Sequence, residues 1–206
     1  MSSANPRRRP DSLTRHSPDV RLGPPRLEDG RELWRIARDS RTLDLNSAYS
    51  YVLWCRDFAA TSVVARADTG VCGFVTGYAR PQDPSTLFVW QVAVDPAYRG
   101  HGLARRMLDH LADSGCRFVE ATVTPDNVAS DRLFTSFARD HGAALEHRPL
   151  LTAELFPGGH ETEVLYRIGP VGARSSPGRA GAGGRMRPAT SHRPGKPPVH
   201  RALEIR

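Results

Sequence analysis

The sequence is poor in cysteine and has no long apolar run. Its three cysteines, Cys55, Cys72 and Cys116, are widely spaced and form no metal-like pair, so the pattern favours reduced thiols and predicts no metal site. No apolar segment approaches the roughly 20 residues that a membrane-spanning helix needs. Arg7-Arg8-Arg9 has no apolar region after it, which argues against a secretion signal. These absences favour a cytoplasmic protein that is not bound to a membrane.

The positive charge is confined to the two ends of the chain. The net charge of +7 divides into +3 for residues 1–25 (five arginines, two acids), −3 for 26–170 (sixteen arginines, nineteen acids) and +7 for 171–206 (seven arginines, one lysine, one acid). The ends are rich in Gly, Pro, Ser and Arg, with too little apolar surface to offset the entropy cost of folding. We predict disordered tails at 1–19 and 171–206 around one domain at 20–170, and no specific nucleic-acid partner.

The central motif is a strand, a glycine-bearing turn and a helix. The apolar run from Leu87 to Val94 predicts a buried strand, and apolar residues at helical spacing from Leu103 to Leu111 predict a helix. Between them stand Gly100 and Gly102, whose lack of a side chain lets an anion approach the unpaired N–H groups at the helix start. The turn therefore predicts an anion site, most plausibly for a pyrophosphate.

Around this motif the periodicity predicts seven strands and four helices, in the order β-α-α-β-β-β-α-β-α-β-β. Asp68-Thr69-Gly70 predicts a hairpin turn, and Ser47 is a good N-cap for the second helix. The order indicates an α+β domain with a mixed sheet. The remaining strands are expected at 20–22, 61–67, 71–78, 117–123, 145–151 and 163–168.

Several residues in predicted strands and loops suggest a site. Glu120 lies within an apolar strand, where an unpaired carboxylate is costly, so it needs a cation: an arginine such as Arg99 or Arg132, or the ammonium of a substrate. His160 follows two glycines, on a loop that is either able to close over a site or simply exposed. Asp44 and Asn46 fall in a loop, where they either bind polar groups or cap a turn. Trp90 is either core or the wall of a pocket.

The residues Arg99, Gly102 and Ala104 after Val-Ala-Val form Arg-x-x-Gly-x-Ala, which resembles the acetyl-CoA signature of the GCN5-related N-acetyltransferases (GNAT). The resemblance implies a mostly antiparallel, twisted sheet flanked by helices, with a central strand pair that splays to admit the pantetheine arm. It also implies acetyl-CoA as co-substrate and no metal. The cofactor contacts that it implies are Val92, Val94, Arg99, Gly100, His101, Gly102, Leu103, Ala104 and Asn127.

Four separated blocks, beginning at Thr42, Phe88, Glu120 and Glu163, resemble the L-2,4-diaminobutyrate acetyltransferases of ectoine biosynthesis over residues 20–170. This resemblance implies that the γ-amine of the diamino acid attacks acetyl-CoA, and it implies a homodimer. It tips Asp44 and Asn46 toward substrate binding, and we expect Trp90, Glu120 and His160 to bind the substrate with them.

The acid and the base of the reaction stay open in the sequence. The general base is Glu120 or water. Many relatives carry a Leu-Tyr pair whose phenol protonates the thiolate, but Leu133-Phe134 stands there, so Tyr49 is an alternative acid, unless the thiolate leaves unprotonated. Rival functions are acetylation of a polyamine, an antibiotic or a protein N-terminus. From other classes, the rivals are a CoA-responsive regulator or a nucleic-acid-associated protein.

Overall fold

The computed structural model describes residues 19–172, and within them one seven-stranded sheet carries four helices. The strands are β1 (Arg21–Gly23), β2 (Val63–Ala67), β3 (Gly70–Arg80), β4 (Asp83–Val94), β5 (Phe118–Val123), β6 (Ala144–Leu151) and β7 (Glu163–Gly169). The helices are α1 (Gly30–Ser40), α2 (Ala48–Asp57), α3 (Leu103–Ala112) and α4 (Val128–Asp140). The predicted order of elements is confirmed. The predicted tails lie almost wholly outside the described residues.

The sheet has the order β1-β2-β3-β4-β5-β7-β6, and β4 with β5 is its parallel pair. The other neighbours run antiparallel, which confirms the predicted mixed, mostly antiparallel sheet. The pairing of β4 with β5 starts at Thr86↔Phe118 and ends at Val89↔Ala121, although β4 continues to Val94. The two strands therefore part in the middle of the sheet, as the predicted splay requires.

A β-bulge at Trp90 changes which side chains of β4 face each side of the sheet. Val89 pairs with Gly77 and Gln91 pairs with Thr76, so Trp90 is an extra residue in the ladder. Such an insertion shifts the alternation of side chains by one. Leu87 and Val89 pack in the core with α3 and α4, and Val92 and Val94 pack against that same core.

Two apolar layers cover the sheet. One joins α3 and α4 to the sheet, with Met107, Phe137 and Ile168 fully buried. The other joins α1 and α2 to it, with Leu33, Ile36, Tyr51 and Phe74 fully buried. Apolar burial contributes about 25 cal/mol per Å², so these layers hold the helices in place on the sheet. Across residues 19–172 no helix is both long enough and apolar enough to cross a membrane.

Several boundaries differ from those predicted. The central strand begins at Asp83 rather than Leu87. Proline is tolerated at the start of a strand, as Pro84 is here. The Asp83 Oδ1 atom also accepts hydrogen bonds from the N–H and the hydroxyl of Ser85, which fixes the strand start. Strand β2 begins at Val63 rather than Thr61, which ends a short 3-10 helix. Buried Val171 donates its N–H to the Arg117 carbonyl at 2.7 Å, so packing extends beyond residue 170.

Candidate active site

A cavity of about 850 Å³ opens at the end of the sheet where β4 and β5 part. Four segments line it: the α1–α2 loop at 41–46, the bulge of β4, the end of β5 with the start of α4, and the loop before β7. Asn127 caps α4 there, since its side-chain oxygen accepts the Ser130 N–H at 3.0 Å. The splayed strands therefore form the back wall, and two loops form the rim.

The charged side chains of the cavity are mainly acidic. Four carboxylates line it, those of Asp44, Asp126, Glu161 and Glu163, against one arginine, Arg41. With His160 neutral the sum is −4 + 1 = −3. A concave site lined by one sign of charge concentrates ligands of the opposite sign. The cavity therefore favours a cationic ligand.

His160 connects the two loops of the rim. Its Nε2 lies 3.3 Å from Asp44 Oδ2 and 3.6 Å from Glu163 Oε1, and its Nδ1 lies 2.7 Å from the Glu161 carbonyl. The Glu161 carbonyl, with smaller contributions from Asp44 and Glu163, raises the pKa of His160. All these neighbours are acceptors, so each can take a hydrogen bond from a ring nitrogen that carries a proton. The arrangement therefore favours the protonated form of His160.

Two adjacent residues of β4 reach the same cavity. Trp90 and Gln91 both line it, because the bulge places consecutive side chains on one face of the sheet. The Trp90 ring stacks on Trp54 of α2, with centroids 4.5 Å apart and planes 19° apart. The Gln91 amide donates to the Asp44 carbonyl at 3.0 Å. One wall is therefore a rigid aromatic surface beside a polar anchor of the rim loop.

The glycine turn follows β4 directly and is shaped for an anion. Gly102, the N-cap of α3, has φ +69°, and Gly100 has φ +79°. A side chain at either position would meet nothing within 4 Å, so the approach to the helix start is open. No side chain caps the first turn of α3. The unpaired N–H groups and the helix dipole there make an anion-binding site.

Comparison with known proteins gives one consistent result. The model of the acetyltransferase (GNAT) family matches residues 28–138. The L-2,4-diaminobutyric acid acetyltransferase of Streptomyces coelicolor is 58% identical over 168 residues, which cover 78% of this chain and 99% of that protein. The enzyme of the same name from Streptomyces anulatus is 63% identical over 153 residues, 71% of this chain and 87% of that protein.

A solved structure agrees with these relatives. The diaminobutyrate acetyltransferase of Paenibacillus lautus, in complex with L-2,4-diaminobutyric acid and coenzyme A, superposes with a TM-score of 0.71 at 39% identity. The match covers 75% of this chain and 96% of that one. The chain belongs to the L-2,4-diaminobutyric acid acetyltransferase family. Its fold is therefore the GNAT fold, as the sequence predicts.

The structure brings together most of the predicted substrate residues of this acetyltransferase. Asp44, Asn46, Trp90 and His160 line one cavity with Asn127, a predicted cofactor contact. The other predicted cofactor residues lie at the end of β4 and in the turn after it, where Arg99 Nε donates to the Val94 carbonyl at 3.2 Å. The acidic cavity and the anion turn thus both lie along the single strand β4.

Glu120 lies elsewhere, and its predicted partners are wrong. Its buried carboxylate accepts a hydrogen bond from Arg80 Nη1 at 2.9 Å through Oε2, and from Arg167 Nη1 through Oε1. Neither Arg99 nor Arg132 holds it. Glu120 does not line the cavity, and two guanidinium groups already balance its charge. This position corrects the expectation that it meets the substrate ammonium, because both oxygens are engaged within the sheet.

Tyr49 also lies apart from the cavity lining. It stands in the first turn of α2, with 69% of its surface exposed to solvent. Phe134, at the position where many relatives carry the acidic phenol, is buried against Tyr166 with ring centroids 6.2 Å apart. This placement does not support Tyr49 as the acid that protonates the thiolate within this chain.

Several cavity residues escaped the sequence analysis, among them Arg41, Glu163 and Gln91. Arg41 ends α1 in the left-handed conformation at φ 56°, which is uncommon for a residue other than glycine and turns the chain into the rim loop. Glu163 was seen only as a strand start, although its spacing of three from His160 hinted at a contact. Gln91 was noted on the central strand but given no role. Only the bulge reveals that it shares a face with Trp90.

Proposed function

We propose that this protein transfers the acetyl group of acetyl-CoA to the γ-amine of L-2,4-diaminobutyrate, which gives N4-acetyl-L-2,4-diaminobutyrate. The observation that supports this most is the 58% identity over 99% of a relative with that name. The P. lautus relative binds the same diamino acid together with coenzyme A. Supply of this product to ectoine synthesis under osmotic stress is part of the proposal.

The glycine turn fits the co-substrate. Coenzyme A carries a pyrophosphate, and the open N–H groups at Gly102 and the start of α3 suit an anion of that kind. The unpaired edge of β4 beyond Val89 suits the amides of the pantetheine arm, because a strand edge offers a row of N–H and C=O groups. Val92 and Val94 lie on that edge, next to the turn.

The acidic cavity fits the acceptor. Diaminobutyrate carries two ammonium groups and one carboxylate at neutral pH, so a lining with a sum of −3 attracts it. The Trp90 face offers a cation–π contact, worth about 0.5–2 kcal/mol. Asp44 offers a carboxylate to an ammonium, and Arg41 or protonated His160 offers donors to the carboxylate. The pocket thus holds complementary groups for all three charges of the substrate.

The chemical step is an acyl transfer between two bound reactants. The thioester supplies an activated carbonyl: the amine nitrogen bonds to that carbon, and the bond from carbon to sulfur breaks. We assign the N–H of Val92 or a neighbour on the β4 edge to polarise the carbonyl oxygen. Holding both reactants along β4 supplies much of the acceleration, since it removes the entropy cost of their encounter.

The proton of the amine leaves by a route that excludes Glu120, because Glu120 is paired to two arginines. We assign the proton to Asp44, directly or through water, because its carboxylate lies in the cavity and is 88% exposed. The thiolate leaves unprotonated, since a thiol pKa near 8.5 makes it a stable leaving group.

The test is acetyl-CoA turnover with a panel of amines, followed by NMR of the products. We expect L-2,4-diaminobutyrate to be the best acceptor and the acetyl group to lie on the γ-nitrogen. A diamine without the carboxylate and a spacing variant such as ornithine serve as matched controls. Preference for a polyamine, an antibiotic or a peptide, or acetylation of the α-nitrogen, contradicts the proposal. The homodimer and the cytoplasmic location remain predictions.

A further inference from the structure

We propose that Gln91 is a positioning residue that holds the backbone of Asp44 at the mouth of the amine cavity, and so sets the affinity for the acceptor. The proposal rests on the function proposed above. It concerns the rim loop, defined as residues 41–46, and the way in which this loop is fixed to β4. It assigns to Gln91 no contact with the reacting atoms.

The contact itself spans the fold. Gln91 Nε2 donates to the Asp44 carbonyl at 3.0 Å, across 47 residues of sequence. Gln91 is 6% exposed, so water competes little for this bond. The other hydrogen bond to the Asp44 carbonyl is local, from Asn46 Nδ2 at 3.3 Å. Gln91 therefore links the rim loop to the strand that carries the aromatic wall and leads to the anion turn.

A second observation sets Gln91 beside a buried hydroxyl. Burial raises the pKa of Tyr51, and the approach of Asn46 and of the Gln91 side chain lowers it in part, so the amide and the end of the rim loop both lie next to this hydroxyl. Tyr51 lies in the apolar layer, edge-on to Phe74 with ring centroids 6.2 Å apart. Gln91 and the rim loop therefore share a buried neighbour besides the hydrogen bond to the Asp44 carbonyl, which favours one position of the loop.

The position of the rim loop affects the cavity through the side chain of Asp44. Its carboxylate is 88% exposed, so few contacts of the side chain itself restrain it, and it lies 3.3 Å from His160 on the opposite rim. The position of the Asp44 backbone then decides where that carboxylate stands. A loose loop would spread the carboxylate over many positions and weaken its contact with a substrate ammonium. The anion turn lies beyond Val94 and would not be affected.

The test compares Gln91→Leu with Thr76→Val. Thr76 lies opposite Gln91 on β3 and is fully buried, and its hydroxyl donates to the Gln91 backbone carbonyl at 3.5 Å rather than to the Gln91 side chain. We expect Gln91→Leu to raise KM for diaminobutyrate about 3- to 10-fold, the factor that corresponds to one neutral hydrogen bond. The kcat should fall by no more than this factor, because Asp44 also takes the proton of the amine, and the KM for acetyl-CoA should stay close to that of the parent. Thr76→Val should leave both KM values unchanged.

A double-mutant cycle separates positioning from direct contact. In the Asp44→Ala background, Gln91→Leu should add little further loss, because the group that it positions is gone. Additive losses, or a fall in kcat with an unchanged KM, would overturn the proposal.

Hydrogen–deuterium exchange of residues 43–46 gives a readout that needs no turnover. We expect faster exchange in Gln91→Leu and parent-like exchange in Thr76→Val. Unchanged exchange in Gln91→Leu overturns the inference even in an active enzyme. If the parent does not acetylate diaminobutyrate, the proposed function fails and the part of this proposal that concerns acceptor affinity fails with it, while the exchange experiment still decides whether Gln91 holds the loop.

Discussion

Glu120→Gln tests whether the buried carboxylate is structural or catalytic. The substitution keeps the shape of the side chain and removes its charge, which leaves Arg80 and Arg167 facing a neutral amide. The Glu120 side chain is 2% exposed, whereas those of Arg80 and Arg167 are 37% and 29% exposed. Breaking a buried ion pair by removing one partner costs about 3–5 kcal/mol. Because water reaches both arginines, we expect the lower end, about 3 kcal/mol.

For a domain of this size, that loss corresponds to a fall in thermal midpoint of about 6–12 °C. The assay is thermal unfolding by circular dichroism, beside steady-state kinetics at a temperature where both proteins are folded. The kcat and both KM values should stay near those of the parent. Glu146→Gln is the matched control, because Glu146 is an exposed carboxylate paired in register with Arg167, and it should leave the midpoint unchanged.

The opposite pattern would refute this reasoning. An unchanged midpoint, together with a fall in kcat of about 10²–10⁴-fold, is what loss of a general base produces. Recovery of that rate at high pH, where free amine accumulates, would make the base assignment firm. Glu120 would then have to leave its arginines during the reaction.

Gly102→Glu should abolish coenzyme A binding in calorimetry, because it adds bulk and a negative charge at the anion turn. The control is Gly115→Glu, at another open position of positive φ, which should bind coenzyme A normally. Equal affinities of the two variants would contradict the cofactor assignment. The pKa of His160 is raised, so its ion pair with Asp44 is complete below the ordinary value of 6.5 and is lost as pH rises through the raised value. An NMR titration should show this pKa above the ordinary value and lower in Asp44→Asn; an unshifted pKa would contradict the contact. A chain of residues 20–172 should keep the turnover of the full protein, and a large loss in the same assay would show that the ends contribute to the site.

Local features were predictable from the sequence, and contacts across strands were not. The anion turn was predicted because strand, glycines and helix lie within 25 residues, from Leu87 to Leu111. The partners of Glu120 were missed because Arg80 and Arg167 lie 40 and 47 residues away and reach it only through the order of the strands. Periodicity assigns elements, but it does not tell which distant arginine a folded sheet places beside a buried acid.

The residues of the cavity were predicted only in part, again because contacts between distant segments do not show in the sequence. Asp44 and His160 were selected as polar residues in loops, yet their meeting across 116 residues depends on where β4 and β7 hold those loops. Arg41 gave no signal, because its left-handed backbone conformation is a property of the helix end in the folded chain.

The extra residue at Trp90 also divides β4 into two segments, and the side chains that face α3 are odd-numbered in one and even-numbered in the other. Before it, odd-numbered residues such as Leu87 and Val89 lie on the side of α3; after it, even-numbered residues such as Val92 and Val94 do. Deleting one residue here would restore regular alternation and leave Val92 and Val94 on the side of α3, and Ala93 on that of α1 and α2. The faces would be exchanged in half of the strand if the chain kept all its residues and paired without the bulge, and a frame of hydrophobic alternation carried across the whole strand therefore assigns one of its halves to the wrong side.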